Sequence, residues 1–212
     1  MHTPFYVHRK EGNEVNEQQF EKLLNITTAG FQYGYPKLAK YHRYEPTPYE
    51  GLEQLFTQYE LPKQAVFVDM GCGKGRVPIY MHYRFNIPSV GVEMDSKFFA
   101  EAEHNREQYL KRAKHHVPLV FHHEIAEQYI VKKQDNVFFF FNPFSVHVLR
   151  HVMNNIIDSK NKHPRDIHII LYYPPEDYLR YLQDSLQCTM LTEVKLTGQK
   201  NPNERIVVFQ ML

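Results

Sequence analysis

From Gln64 onward the chain predicts an open α/β fold, and three observations carry that reading. Apolar strand-like runs alternate with helix-like segments, which argues for βαβ units on a parallel sheet. The first run, VFVDMGCGKG from Val66 to Gly75, ends in an acid and then sets Gly71, Gly73 and Gly75 at alternate positions, marking a strand that enters a tight turn. The last two runs, TMLTEVKLTG and RIVVFQML, are joined by QKNPNE. That leaves no room for a crossover helix, so they predict an antiparallel hairpin at one sheet edge.

The first 60 residues hold a predicted helix over 15–29 and an aromatic segment, FQYGYPKLAKYHRYEPTPYEGLEQLF, that reads either as a lid or as a helical layer over the sheet. Two units follow: a cap segment over 1–60 and a main domain over 61–212. Strands are expected near 65–69, 88–93, 117–122, 137–141 and 166–172, and helices near 76–84, 96–113, 145–159 and 175–186. The VFFFF run at 137–141 does not alternate, as expected of a central strand covered on both faces. After Ser145, a predicted N-cap, residues Leu149, Val152, Met153, Ile156 and Ile157 recur on one helical face and mark it as core.

Composition narrows the function classes. With 42% hydrophobic and 14% aromatic residues among 212, the chain can bury a full core. Twenty-five basic against 24 acidic residues leave a formal charge of +1, and no Lys/Arg-rich arm appears. A small molecule or a protein is therefore the expected partner in preference to a nucleic acid. Cys72 and Cys188 are too few for a disulfide framework. The amino terminus lacks an apolar h-region, and no run approaches the ~20 apolar residues of a membrane span. A soluble, cytoplasmic protein without membrane association is expected.

The glycine spacing excludes the commoner glycine-rich loops. A dinucleotide fingerprint needs glycine where Arg76 stands, and a phosphate-cradling P-loop needs glycine at Val68 and Ser or Thr at Gly75. Twenty-four positions after Asp69 a second apolar run, SVGVEMD, reaches Glu93, where a nucleotide fold places an acceptor for ribose hydroxyls. This pairing of GxGxG after strand one with an acid after strand two resembles the class I S-adenosylmethionine (SAM)-dependent methyltransferases. The resemblance covers roughly residues 61–212. It implies a Rossmann-like, seven-stranded, mostly parallel sheet of order 3-2-1-4-5-7-6 with a C-terminal antiparallel hairpin and an N-terminal helical extension.

It also implies SAM as cofactor and a role for each part of the site. The turn Gly71-Cys72-Gly73-Lys74-Gly75 and the helix after it would offer backbone N–H groups to the cofactor's carboxylate. Asp69 would hold the turn and receive the ammonium end. Glu93 would accept the ribose hydroxyls, Met94 would pack on the adenine, and Glu124 would take the adenine amino group. Upstream, Tyr44, Thr47 and Tyr49 resemble a segment that closes over the cofactor. Asn142-Pro143-Phe144 resembles the family's motif IV with one proline missing, where the Asn side chain and the adjacent carbonyl hold the target nitrogen.

The resulting expectation is transfer of the SAM methyl to a nucleophile, nitrogen by the motif, on an unidentified acceptor. The competing expectation is a SAM-binding regulatory or interaction protein without transfer. Tyr172, Tyr173 and Pro174 end strand five, either as a substrate wall or as packing at the core edge. No metal site is expected. His147 and His151 have helical zinc-ligand spacing, but Val148 stands where a metalloprotease motif needs Glu, and His122, His123 and Glu124 alternate across a strand. Cys72 is not expected to act as a nucleophile, because methyl transfer from SAM needs no covalent intermediate.

Overall fold

The computed structural model describes residues 17–30, 41–114, 116–197, 201 and 203–212. Two helices come first, α1 (Glu17–Leu24) and α2 (Tyr49–Phe56). The alternating part follows as β1 (Phe67–Met70), α3 (Arg76–Phe85), β2 (Ser89–Glu93), α4 (Ser96–Leu110) and β3 (Leu119–His123). It continues as β4 (Val137–Phe141), α5 (Val146–Lys162), β5 (Ile167–Tyr172) and α6 (Glu176–Arg180), and ends in β6 (Thr189–Lys195) and β7 (Arg205–Met211). The strands form one seven-stranded sheet of order β3-β2-β1-β4-β5-β7-β6, antiparallel only where β7 joins β5 and β6. This is the Rossmann-like sheet expected, with its hairpin at the edge.

The unalternating VFFFF strand serves both faces. Val137 and Phe139 join the apolar layer shared with α1, α2 and α3, while Phe138 and Phe140 join the layer under α5. Each layer is closed by helices of complementary face, so no strand residue of β4 depends on solvent for its partner. On α5 the buried stripe is Val148, Leu149, Val152, Met153 and Ile156; Ile157, expected in the core, is only half-buried. Ser145 occupies the N-cap, yet its hydroxyl makes no capping bond.

Other departures concern element ends. The helix expected over 15–29 runs in its described part only to Leu24, because Asn25 turns left-handed at φ 57° and the chain leaves the axis. The helix expected over 96–113 stops at Leu110. That over 175–186 is one short α-helix followed by a π turn from Tyr181 to Ser185. In the first 60 residues, Phe20, Leu24, Tyr49, Leu52 and Leu55 are buried in the same layer as Phe67 and Phe139 of the sheet. Among the described residues no helix is long and apolar enough to cross a membrane.

Candidate active site

The carboxyl ends of β1, β2 and β4 open into one cleft of about 280 Å³, the place where an open α/β sheet binds its ligand. After β1 the chain turns through Gly71, Gly73 and Gly75 at φ 94°, 53° and 82°, values that a side chain strains against. The N–H groups of Gly71 and Cys72 both donate to the Val92 carbonyl, which ties the turn to β2. Glu93, at the end of β2, fixes the turn from the other side. Its Oε2 accepts from the Gly73 N–H at 2.8 Å and its Oε1 from the Asp95 N–H at 2.7 Å. Asp95 in turn caps α4 by accepting from the N–H groups of Lys97 and Phe98.

Asp69 lines this cleft, only 3% exposed, and the charge that acts on its carboxylate is the like charge of Glu93. Burial raises its pKa well above the usual carboxylate range, and repulsion from Glu93 raises it further. Burial raises Glu93 as well, opposed by the backbone hydrogen bonds from Asp95 and Gly73. Cys72 is also buried, which pushes its thiol up and keeps it protonated.

At the end of β4, Asn142 adopts φ 39°, and its Oδ1 is buried with no hydrogen-bond partner among the described residues. The segment Tyr41–Thr47 lies across this corner as a strap. Tyr41 bridges to Phe144 and its hydroxyl donates to Glu127, while the His42 N–H donates to the Pro143 carbonyl at 2.9 Å. Further along, the Tyr44 hydroxyl donates to the Thr28 carbonyl at 2.6 Å, and its ring packs on Phe98 with centroids 4.8 Å apart.

Arg76, the first residue of α3 and 3% exposed, locks the strap to α1. Its Nε donates to Thr28 Oγ1 at 2.6 Å, its Nη1 to the Thr47 carbonyl at 2.9 Å and to Glu17, and its Nη2 to Glu21 at 3.3 Å. The guanidinium also lies 4.4 Å over the Tyr49 ring. A buried guanidinium is tolerated only with such pairing.

Of the residues singled out in the sequence, Thr47, Asp69, Gly71, Cys72, Gly73, Glu93, Met94, Glu124, Asn142, Pro143 and Phe144 all line the cleft. Tyr49 does not. It is fully buried, stacked on Phe20 at 4.6 Å, because its aromatic face completes the core beneath α1. Gly75 is not at the cleft either; it is the N-cap of α3, and a Cβ there would meet the Phe121 ring at 2.6 Å. Gly71 and Gly73 likewise face protein, with Pro143 and Tyr44 filling the space a side chain would need. Tyr172 is sealed in the core against Phe141, whereas Tyr173 lines the cleft.

Cleft residues not singled out in the sequence include Tyr41, His42, Arg76 and Phe98. The signal for the first two was the aromatic run that ends at Pro46; nothing in the local pattern marks Arg76. Among the described residues no group of three or more metal-binding side chains is gathered.

By sequence, the family described as "Histone methylation protein DOT1" matches residues 35–160. No curated protein matches. Among solved structures, the human methyltransferase 10 domain containing protein has TM-score 0.60 at 13% identity, with 92% of each chain covered. The N-terminal domain of human METTL16, solved with S-adenosylhomocysteine (SAH), has TM-score 0.56 at 12% identity, covering 91% of this chain and 78% of that one. An RNA methyltransferase from Salinibacter ruber, also in complex with SAH, has TM-score 0.53 at 16% identity, covering 79% of this chain and 94% of that one. These identities speak for a shared fold, while the family match spans the glycine turn, both acidic strand ends and the Asn142 corner. On that match, this chain belongs to the DOT1 histone methylation protein family and is a class I SAM-dependent methyltransferase.

Proposed function

We propose that the cleft holds SAM with its amino-acid tail at Asp69 and the glycine turn and its ribose at Glu93, and that Asn142 receives the nucleophile, a nitrogen. The observation that carries this reading is the buried Asn142 Oδ1, without a hydrogen-bond partner among the described residues, in the same cleft as the buried Asp69 carboxylate, whose strongest charged neighbour is the like-charged Glu93. A buried carboxylate beside a like charge is costly, and the ammonium and sulfonium of SAM would supply positive charge next to it. Glu93 spends one lone pair of Oε2 on the turn and one of Oε1 on the Asp95 N–H, and would keep others for two ribose hydroxyls. Thr47 would close the near side; Met94 and Glu124, which line the cleft, would face the adenine. When bound, SAM supplies an electrophilic methyl group. The chain itself contributes placement and the exclusion of water.

The acceptor is proposed to be a small molecule or a protein, since a formal charge of +1 provides no strong field for a phosphate backbone. The matched family's description names histone methylation, and the solved neighbours include enzymes described as acting on RNA. Incubating the protein with methyl-labelled SAM and fractionated cell extract tests this reading. Label in a nucleic-acid fraction alone would refute it. The competing reading, binding without transfer, predicts no SAH formed in any fraction.

Two measurements test the cofactor site. Glu93→Ala is expected to weaken SAH binding by about 1.5–3 kcal/mol, the worth of hydrogen bonds to a charged acceptor. Unchanged affinity by calorimetry in a folded variant would remove Glu93 from the site. The second concerns Asp69. Its pKa is raised in the ligand-free protein, and a bound cation favours the carboxylate, so binding expels a proton. SAM affinity should therefore rise as pH rises through the elevated pKa. Calorimetry in buffers of different ionisation enthalpy should show proton release with SAM that disappears in Asp69→Asn; equal release in both proteins would contradict it.

A further inference from the structure

The strap that crosses the Asn142 corner carries a contact beyond simple closure. Nδ1 of His42 lies 2.6 Å from the Asn142 carbonyl oxygen. A carbonyl oxygen can only accept, so at this distance Nδ1 carries the hydrogen. A neutral imidazole has one N–H, which leaves the lone pair on Nε2. His42 lines the cleft beside Asn142, its ring is exposed, and no bond to Nε2 is made among the described residues. Two acceptor atoms, Asn142 Oδ1 and His42 Nε2, thus belong to one corner, and of the two side chains only the imidazole can take a proton.

The Pro143 carbonyl gives a second reason to look at this ring. It already accepts the His42 N–H at 2.9 Å, so the backbone acceptor of the corner is engaged by the same residue whose ring is free at Nε2. The strap has placed a side-chain acceptor where the main chain offers less.

On the nitrogen-transfer reading above, we propose that His42 is the catalytic base, taking at Nε2 the proton that the nucleophile sheds. The nucleophile is then an N–H group, not a tertiary amine or a thioether. In the step, the nitrogen lone pair forms the bond to the methyl carbon and the carbon–sulfur bond breaks. Its electron pair stays on sulfur, giving the neutral thioether of SAH. The hydrogen on nitrogen passes to Nε2, so the positive charge moves from sulfonium to imidazolium. The Asn142 carbonyl already holds Nδ1–H and stabilises that cation, and the exposed ring returns the proton to water.

A purely structural role, pinning the strap, predicts a different outcome, and His42→Asn separates the two. The Asn amide nitrogen sits the same number of bonds from Cβ as Nδ1, so this variant can keep the donor to the Asn142 carbonyl while removing Nε2. Transfer from methyl-tritiated SAM to the acceptors in cell extract would be compared with SAH affinity by calorimetry. Nitrogen-15 NMR of histidine-labelled protein would report the tautomer of His42. We expect unchanged SAH affinity, transfer reduced at least tenfold, as for loss of a general base, and an Nδ1-protonated ring. Wild-type transfer in His42→Asn, parallel loss of transfer and SAH affinity, or an Nε2-protonated ring would each overturn the proposal. Transfer absent already in the unsubstituted protein would count against the nitrogen-transfer reading itself, and the role of His42 would fall with it.

Discussion

Gly73→Val abolishes measurable SAM and SAH binding while the sheet stays folded. Gly73 sits at φ 53°, a conformation that a β-branched residue resists, and a Cβ there would lie 2.2 Å from one carbon of the Tyr44 ring and 2.3 Å from the next. Tyr44 cannot yield cheaply, since its hydroxyl is held by the Thr28 carbonyl and its ring by Phe98. The turn must therefore move, which withdraws the Gly73 N–H from Glu93. Backbone strain of about 1–3 kcal/mol adds to a charged hydrogen bond worth about 1.5–3 kcal/mol. Together these weaken binding by roughly 10²–10⁴-fold. Calorimetry with SAH measures the loss, and far-UV circular dichroism serves as the control. Global unfolding would show that the glycine serves folding and not the ligand.

Asn142→Gly retains SAH affinity but loses about 10²-fold or more in turnover. Glycine is the informative replacement because Asn142 has φ 39°, where alanine would add backbone strain to the loss of the side chain. Oδ1 has no hydrogen-bond partner among the described residues, so removing it leaves no donor stranded there and should cost little stability. What disappears is an acceptor that orients the nucleophile in line with the methyl. A joint loss of affinity and turnover would mean that Asn142 holds the cofactor or the turn. Undiminished turnover would move the acceptor contact to Tyr173 or the strap.

Glu93 and Tyr49 show how far the sequence reading reached. Glu93 was marked by ending an apolar strand, a local pattern, and the fold brings it to the glycine turn across the neighbouring strand. Tyr49 was marked only by lying in an aromatic segment before β1. Its ring faces Phe20 and Arg76 because α1 packs there, a contact between residues 29 positions apart that no local pattern encodes.

The glycines are a subtler case. Their positive φ values follow from the spacing, yet the close approaches they permit are to Pro143, Tyr44 and Phe121, from three different parts of the chain. The same holds for Arg76. In sequence it fills the place where a dinucleotide loop would have glycine; in the fold it joins α1, the strap and α3 through Glu17, Glu21, Thr28 and Thr47.

The sequence by itself determined the alternating sheet, the conformation of its first turn and the acidic strand ends. Strand periodicity, glycine's freedom at positive φ and the lack of room for a crossover are properties of neighbouring residues. Tertiary structure alone decided that Tyr41–Thr47 crosses the Asn142 corner, that His42 meets a carbonyl 100 positions away, and that Arg76 is buried among carboxylates. Those contacts follow from the packing of the N-terminal segment on one face of the sheet, where Phe20, Leu24 and Tyr49 share a layer with Phe67 and Phe139. Which side chains then face the cleft is fixed by packing, not by local pattern.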